Sequence, residues 1–175
     1  THSVNQGVGG AVLTGYAKDL EDGIDIMVKI DGDGQMDPSL LPAIIAPIVS
    51  GRADYSKGNR FDTLESLEQM PKVRIFGNAV LSLMSKISTG YWNITDPTNG
   101  YTAIHRSILS QLPMAKVHKR FFFESDMLYR LAVMRAVVWD VPIAASYGDE
   151  TSNLKIGKVL WEFPRRHFAN HLKRI

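Results

Sequence analysis

Apolar and polar positions alternate along the chain in two periods. In "GVGGAVLTGYAKDLEDG", residues 7–23, Ala11, Val12, Gly15, Tyr16 and Leu20 recur near helical spacing and Gly23 supplies a stop, which predicts a helix. "IDIMVKI", residues 24–30, is short, rich in Ile and Val, and runs into a polar turn; it predicts a buried strand. "PSLLPAIIAPIVSG" predicts a helix with Asp37 as N-cap and Pro38 in its first turn. Pro42 and Pro47 shorten or kink that helix. Further on, "ADYSKGNRF" reads as a strand, "VRIFGNAVLSLMSKISTG" as a helix and "GYTAIHR" as a strand. "FESDMLYRLAVMRA" reads as a helix and "VVWDVPIAASY" as a strand. The last helix, "IGKVLWEFPRRHFANHLKRI", is expected to break at Pro164. Strands alternating with helices predict an α/β domain with a mostly parallel sheet flanked by helices. Ligands of such sheets bind beyond the carboxyl ends of the strands. The turn after "IDIMVKI" and the loop after "ADYSKGNRF" fall there.

Composition narrows the class without identifying it. The 175 residues, 45% hydrophobic and 22% charged, suit one globular domain with a real core. The absence of cysteine excludes disulfides and thiolate metal sites. No apolar run reaches the roughly 18 residues that span a bilayer. A net charge of +2 provides no whole-molecule attraction to nucleic acid. The basic residues gather instead in "PRRHFANHLKRI".

The candidate chemistry starts at "VKIDGDGQMDP", where Asp31, Asp33 and Asp37 follow the first strand. A polar turn with a helix cap accounts for all three without a ligand, because Asp bonds readily to nearby amides. An EF-hand does not account for them. Counted from Asp31, the sixth residue is Met36 and the twelfth is Pro42, where the loop needs Gly and a bidentate Glu. A catalytic D-x-D pair is the third arrangement. In extended backbone Asp31 and Asp33 turn to one side, and Gly32 and Gly34 leave room for a bulky anion. Two hard oxygen ligands suit Mg2+ or Mn2+.

Four segments in order carry a resemblance. "DGDGQMDPSLLPAII" resembles the metal-binding segment of family 2 glycosyltransferases of the GT-A fold, and "NQGVGGAVLTGYAKDLEDGIDIMVKIDGDGQ" is similar to the stretch leading into it. "DPTNGYTAIHRSIL" and "FFFESDMLYRLAVMRAVVWDVPI" resemble the family's later segments. The best-matched subgroup is the dolichyl- or polyprenyl-phosphate sugar transferases. The resemblance covers residues from about 5 to 160. It implies a GT-A-like, Rossmann-related domain over 1–160, with 161–175 as a basic amphipathic C-terminal helix.

The resemblance also implies roles. Asp31 and Asp33 hold Mg2+ or Mn2+ on the donor diphosphate. Gln35 supports the donor side, and Asp37 either does the same or only caps the helix. Asp126, or Glu124 two residues away, is the catalytic base for an inverting displacement. With a lipid-phosphate acceptor, whose oxygen is already anionic, Asp126 positions instead. Asp96 matches the acid ahead of the Gly-aromatic pair and serves either the acceptor or a turn with Pro97. Arg60, with Lys57, faces phosphate or lies on the surface, and Arg130 pairs with a nearby carboxylate. Ser152 and Lys155 match a loop over the donor diphosphate. His167 and His171 read as part of the basic helix. With Phe168, Leu172 and Ile175 opposite Arg165, Arg166, Lys173 and Arg174, that helix suits peripheral contact with an anionic membrane.

The expected whole is a nucleotide-sugar transferase acting on a polyprenyl phosphate or growing glycan at the cytoplasmic face of the membrane. The family's first strand–helix–strand, which holds the nucleotide base and ribose, has no match ahead of Thr1. The chain is therefore expected to be the later part of a longer protein. Two other readings stand beside it: a truncated binding or scaffold module, and a metal-dependent nucleotidyltransferase.

Overall fold

A computed structural model describes residues 2–61, 72–143 and 156–174. The chain runs α1 (Val8–Glu21), β1 (Ile26–Lys29), α2 (Leu41–Val49), β2 (Tyr55–Asn59), α3 (Lys72–Thr89), β3 (Thr102–His105), α4 (Arg106–Leu109), α5 (Phe123–Val133), β4 (Val138–Pro142) and α6 (Ile156–Arg174). Every predicted helix and strand is present. The sequence reading missed the short α4 and two 3-10 turns, Pro38–Leu40 and Met114–Lys116. The prolines set the start of α2. Asp37 accepts a 2.8 Å hydrogen bond from the Ser39 amide and caps the 3-10 turn, and the α-helix begins only at Leu41.

The four strands lie in the order β1-β3-β2-β4. The sheet is mixed, which corrects the mostly parallel expectation. β1, β2 and β4 run one way, but β3 runs against them between β1 and β2. Among the described residues only β2–β4 is therefore a parallel ladder. Alternating elements predict crossovers but not which strand is inserted between which.

Alternation of side chains across the pleat divides the core in two. Met27, Ile104, Tyr55 and Val138 are cross-strand neighbours on one face. They pack with Leu13 and Tyr16 of α1 and Met127, Leu128 and Leu131 of α5. On the other face Ala103 and Val141 meet Ile44 and Ile48 of α2. One pleat nearer the carboxyl ends of β1, β2 and β4, the first face changes character. Lys29, Thr102, Lys57 and Asp140 form the next cross-strand row.

α6 is continuous through Pro164, contrary to the predicted break, and the division after residue 160 falls inside it. The turns around the proline are held from the side. Phe163 is buried, with its ring 5.2 Å from that of Phe122, and α6 packs on α3. His167 is also buried rather than part of a solvated basic face. Its Nδ1 lies 2.8 Å from the Ser88 hydroxyl of α3, and its ring meets the Phe122 ring at 5.1 Å.

Burial lowers the His167 pKa from 6.5 to about 4. The stability its neutral ring supports is full above pH 6.5 and is lost as pH falls through about 4. The wild-type advantage over His167→Gln in urea denaturation should therefore shrink between pH 7 and pH 4.5. An equal advantage at both pH values would mean that the ring is not held neutral.

Candidate active site

Because β3 is reversed, its amino end lies beside the carboxyl ends of the other three strands. The turn after β1, the loop from Asp96 to Tyr101 and the strand end at Arg60 thus share one edge of the sheet. The N-terminus of α5 reaches the same edge through Glu124, whose carboxylate meets Lys29 of β1.

The turn after β1 is open. Asp31, Gly32, Gly34, Gln35 and Asp37 line a hollow of roughly 520 Å3. Among the described residues nothing lies within 4 Å of where a Cβ would stand at Gly32 or Gly34. Gly34 also takes a φ of 75°, which a side chain would strain. Asp33 Oδ1 accepts from the Gln35 amide at 3.0 Å, so Gln35 helps to fix that carboxylate.

Asp31 Oδ1 lies 2.8 Å from Lys29 Nζ, and the same nitrogen lies 3.3 Å from Glu124 Oε1. Burial pushes the Glu124 carboxyl above its usual range, against the pull of the Lys29 ammonium. The structure therefore joins Glu124, not Asp126, to the acidic turn. Asp126 faces elsewhere on α5: its Oδ2 accepts from Arg130 Nε at 2.9 Å and from the His118 amide at 2.8 Å. Arg130 in turn donates to the Lys116 carbonyl, so this pair braces the loop before α5.

Asp96 and Arg60 form a second centre. Arg60 Nε and Nη2 contact the fully buried Asp96 carboxylate at 2.8 and 3.0 Å, and Asn99 donates to it at 3.3 Å. Lys57 is not on the surface. It is wholly buried and donates to the Asp96 carbonyl. Burial alone would raise Asp96, but the Arg60 hydrogen bonds and the Lys57 charge hold it below the usual carboxylate range. Asp140 closes the row. Its Oδ2 accepts from the Thr95 amide at 2.7 Å, and burial raises its pKa to about 6, with Lys57 pulling the other way. Among the described residues its Oδ1 has no hydrogen-bond partner.

Lys29 and Asp140 escaped the sequence reading. The visible signal was a lone charge inside an apolar strand: Lys29 in "MVKI" and Asp140 in "VVWDVP". Ser152 and Lys155 lie outside the described residues. Among the described residues no cluster of three or more His, Cys, Asp or Glu is gathered for a metal. Asp31 and Asp33 still fit one, since two hard oxygen donors in an open glycine turn leave the remaining positions to waters and phosphate oxygens.

Comparison with known proteins gives the fold and the family. The structure of glucosyl-3-phosphoglycerate synthase from Mycobacterium tuberculosis, in complex with Mn2+, UDP-glucose and phosphoglyceric acid, matches with a TM-score of 0.66 at 19% identity. The match covers 99% of this chain and 56% of that one, and the shared architecture is the GT-A fold. The sequence model of glycosyl transferase family 2 matches residues 1–112, and the chain belongs to that family. UDP-N-acetylglucosamine–dolichyl-phosphate N-acetylglucosaminyltransferase of Methanococcus voltae is 32% identical over 160 residues. Undecaprenyl-phosphate mannosyltransferase of Micrococcus luteus is 30% identical over 142 residues. The matches take in 89% and 81% of this chain but 63% and 57% of those relatives, so the chain spans about three-fifths of their length.

Asp96→Ala leaves Arg60 without its carboxylate and Lys57 without that counter-charge. It should lower stability by about 3–5 kcal/mol in chemical denaturation, as when one partner of a buried ion pair is removed. A loss below about 1 kcal/mol, the scale of an exposed pair, would free Asp96 for an acceptor role.

Proposed function

We propose that this chain carries the catalytic edge of a metal-dependent, inverting glycosyltransferase that moves a sugar from a nucleotide-sugar donor to a polyprenyl phosphate or a growing glycan. The observation that carries the reading is the open glycine turn at the end of β1, where Asp31, two residues before Asp33, lines the hollow and is tied through Lys29 to the half-buried acid Glu124. Asp31 and Asp33 hold Mg2+ or Mn2+, with Gln35 fixing Asp33. When bound, such an ion offsets the negative charge that grows on the leaving diphosphate. The named chemistry of the relatives supports donor and acceptor: a UDP-sugar with Mn2+ in the mycobacterial synthase, dolichyl and undecaprenyl phosphate in the others. Ser152 and Lys155 are assigned to the donor diphosphate on the family resemblance.

Glu124 is the better-supported acid, because Asp126 is engaged by Arg130 and the His118 amide. With a hydroxyl acceptor, Glu124 takes the proton as the acceptor oxygen bonds to the anomeric carbon and the bond to the diphosphate breaks. A carboxyl raised by burial suits that task. With a lipid phosphate the attacking oxygen is already anionic, and Glu124 orients the acceptor.

Peripheral membrane contact belongs to the same proposal. Among the described residues no helix is long and apolar enough to cross a membrane. α3 exposes Phe76, Val80, Leu83 and Ile87 at helical spacing, and α6, packed beside it, exposes Phe168 and Leu172. Exposed Arg165 and Lys173 supply the basic charge that an anionic lipid surface attracts.

Sugar release from UDP-, GDP- and dTDP-sugars by the full-length protein with Mn2+ tests the chemistry. Asp31→Ala and Asp33→Ala should each lower kcat/KM by about 100-fold or more, the scale of losing a charge-stabilising group. Glu124→Gln should cost more than Asp126→Asn once both are shown to be folded. Wild-type turnover in both DxD variants would end the metal assignment, and no turnover on any donor would favour the scaffold reading. Phe168→Asp with Leu172→Asp should abolish co-sedimentation with anionic liposomes. Wild-type binding that is indifferent to anionic lipid would exclude the membrane surface.

A further inference from the structure

Lys29 stands in a strand that is otherwise apolar, with its side chain only 4% exposed. An ammonium has three protons to donate, and three acceptors surround this one. They are the Gly100 carbonyl at 3.1 Å, Asp31 Oδ1 at 2.8 Å and Glu124 Oε1 at 3.3 Å. They come from three separate pieces of the fold: the loop before β3, the turn after β1, and α5. The nitrogen is therefore held from three sides, and its ion pair with Asp31 is made through Oδ1. Gly100 closes the arrangement, because a Cβ there would collide with both Asp31 Oδ2 and Lys29 Nζ.

We propose that Lys29 is a positioning residue that decides which divalent cation the Asp31–Asp33 pair accepts, by holding Oδ1 and so making Asp31 a one-oxygen ligand. The inference rests on the metal-binding reading above. Mg2+ takes near-octahedral sites with one or two carboxylates and keeps waters and substrate phosphates around it, and Mn2+ suits the same oxygen donors. Ca2+ takes six to eight oxygens and often grips a carboxylate by both. A carboxylate with one oxygen already committed serves the first kind of ion and handicaps the second. Without the ammonium Oδ1 is released, and a two-oxygen grip by Asp31 opens to the larger ion.

The test is calorimetric titration of the full-length protein with Mn2+, Mg2+ and Ca2+ as chloride salts, without nucleotide. Lys29→Met, Lys29→Arg and Asp33→Ala are titrated alongside, and melting temperatures are recorded. The wild type should prefer Mn2+ to Ca2+. Lys29→Met, which keeps the stem and drops the charge, should narrow that preference by about tenfold or more, the usual scale for groups that orient metal ligands. Lys29→Arg, which still binds Asp31, should keep it. A wild type that takes Ca2+ as tightly as Mn2+ overturns the proposal without any variant, which covers the case where Lys29→Met does not fold. An unchanged ratio in Lys29→Met overturns it too, whatever happens to the melting temperature. In that case, loss of Mn2+ binding in Asp33→Ala leaves the metal-binding reading standing. No Mn2+ binding by the wild type, or binding indifferent to Asp33→Ala, overturns both.

Discussion

Two ammonium groups buried at one edge of a four-stranded sheet organise the rest of this molecule. A charge taken out of water is costly unless it is paired and hydrogen-bonded. Lys29 and Lys57 lie on one face, each directly across from Thr102, and each draws its own carboxylates and carbonyls. Around Lys29 these are Asp31, Glu124 and the Gly100 carbonyl. Around Lys57 they are the Asp96 carbonyl and the charges of Asp96 and Asp140. The sheet edge, the acidic turn, the Asp96–Tyr101 loop and the start of α5 are thereby bound into one charged layer over an apolar core.

That layer separates the two acids of α5, of which the sequence reading puts Asp126 first and Glu124 as its alternative. They are two residues apart on a helix and therefore point in different directions. Glu124 turns toward the sheet and meets Lys29, whereas Asp126 turns back to the loop before the helix and meets Arg130. The same logic sorts the cations. Arg60 is spent on Asp96, and Lys57 on the main chain of the same residue. The open, solvent-facing chemistry is left to the glycine turn of Asp31 and Asp33.

Much of this was legible. The period of apolar positions gave the helices and strands to within a few residues, because burial on one face is what makes each of them form. The D-x-D turn was visible as a site candidate, since it follows a strand and carries glycines on both sides of Asp33. The strand order was hidden. Nothing local in "GYTAIHR" says that it lies between β1 and β2 and runs against them, for that depends on pairings with residues far away in sequence. Pro164 and His167 misled for a related reason. A proline predicts a break and a histidine among arginines predicts solvent, but contacts with α3 and Phe122 outweigh both local preferences.

The sequence by itself determined the α/β class, the positions of the elements, the family resemblance and the acidic turn, all of which rest on short-range pattern. Only the tertiary structure decided which carboxylates meet which cations. An ion pair such as Lys29 with Glu124, or Arg60 with Asp96, joins residues brought close by sheet register and helix docking rather than by chain proximity. The tertiary structure also made those lysines and acids interior groups. Their burial raises Glu124 and sets Asp140 at about 6. Side-chain identity supplies the charge, but the dielectric around it and the partner opposite it are properties of the folded sheet.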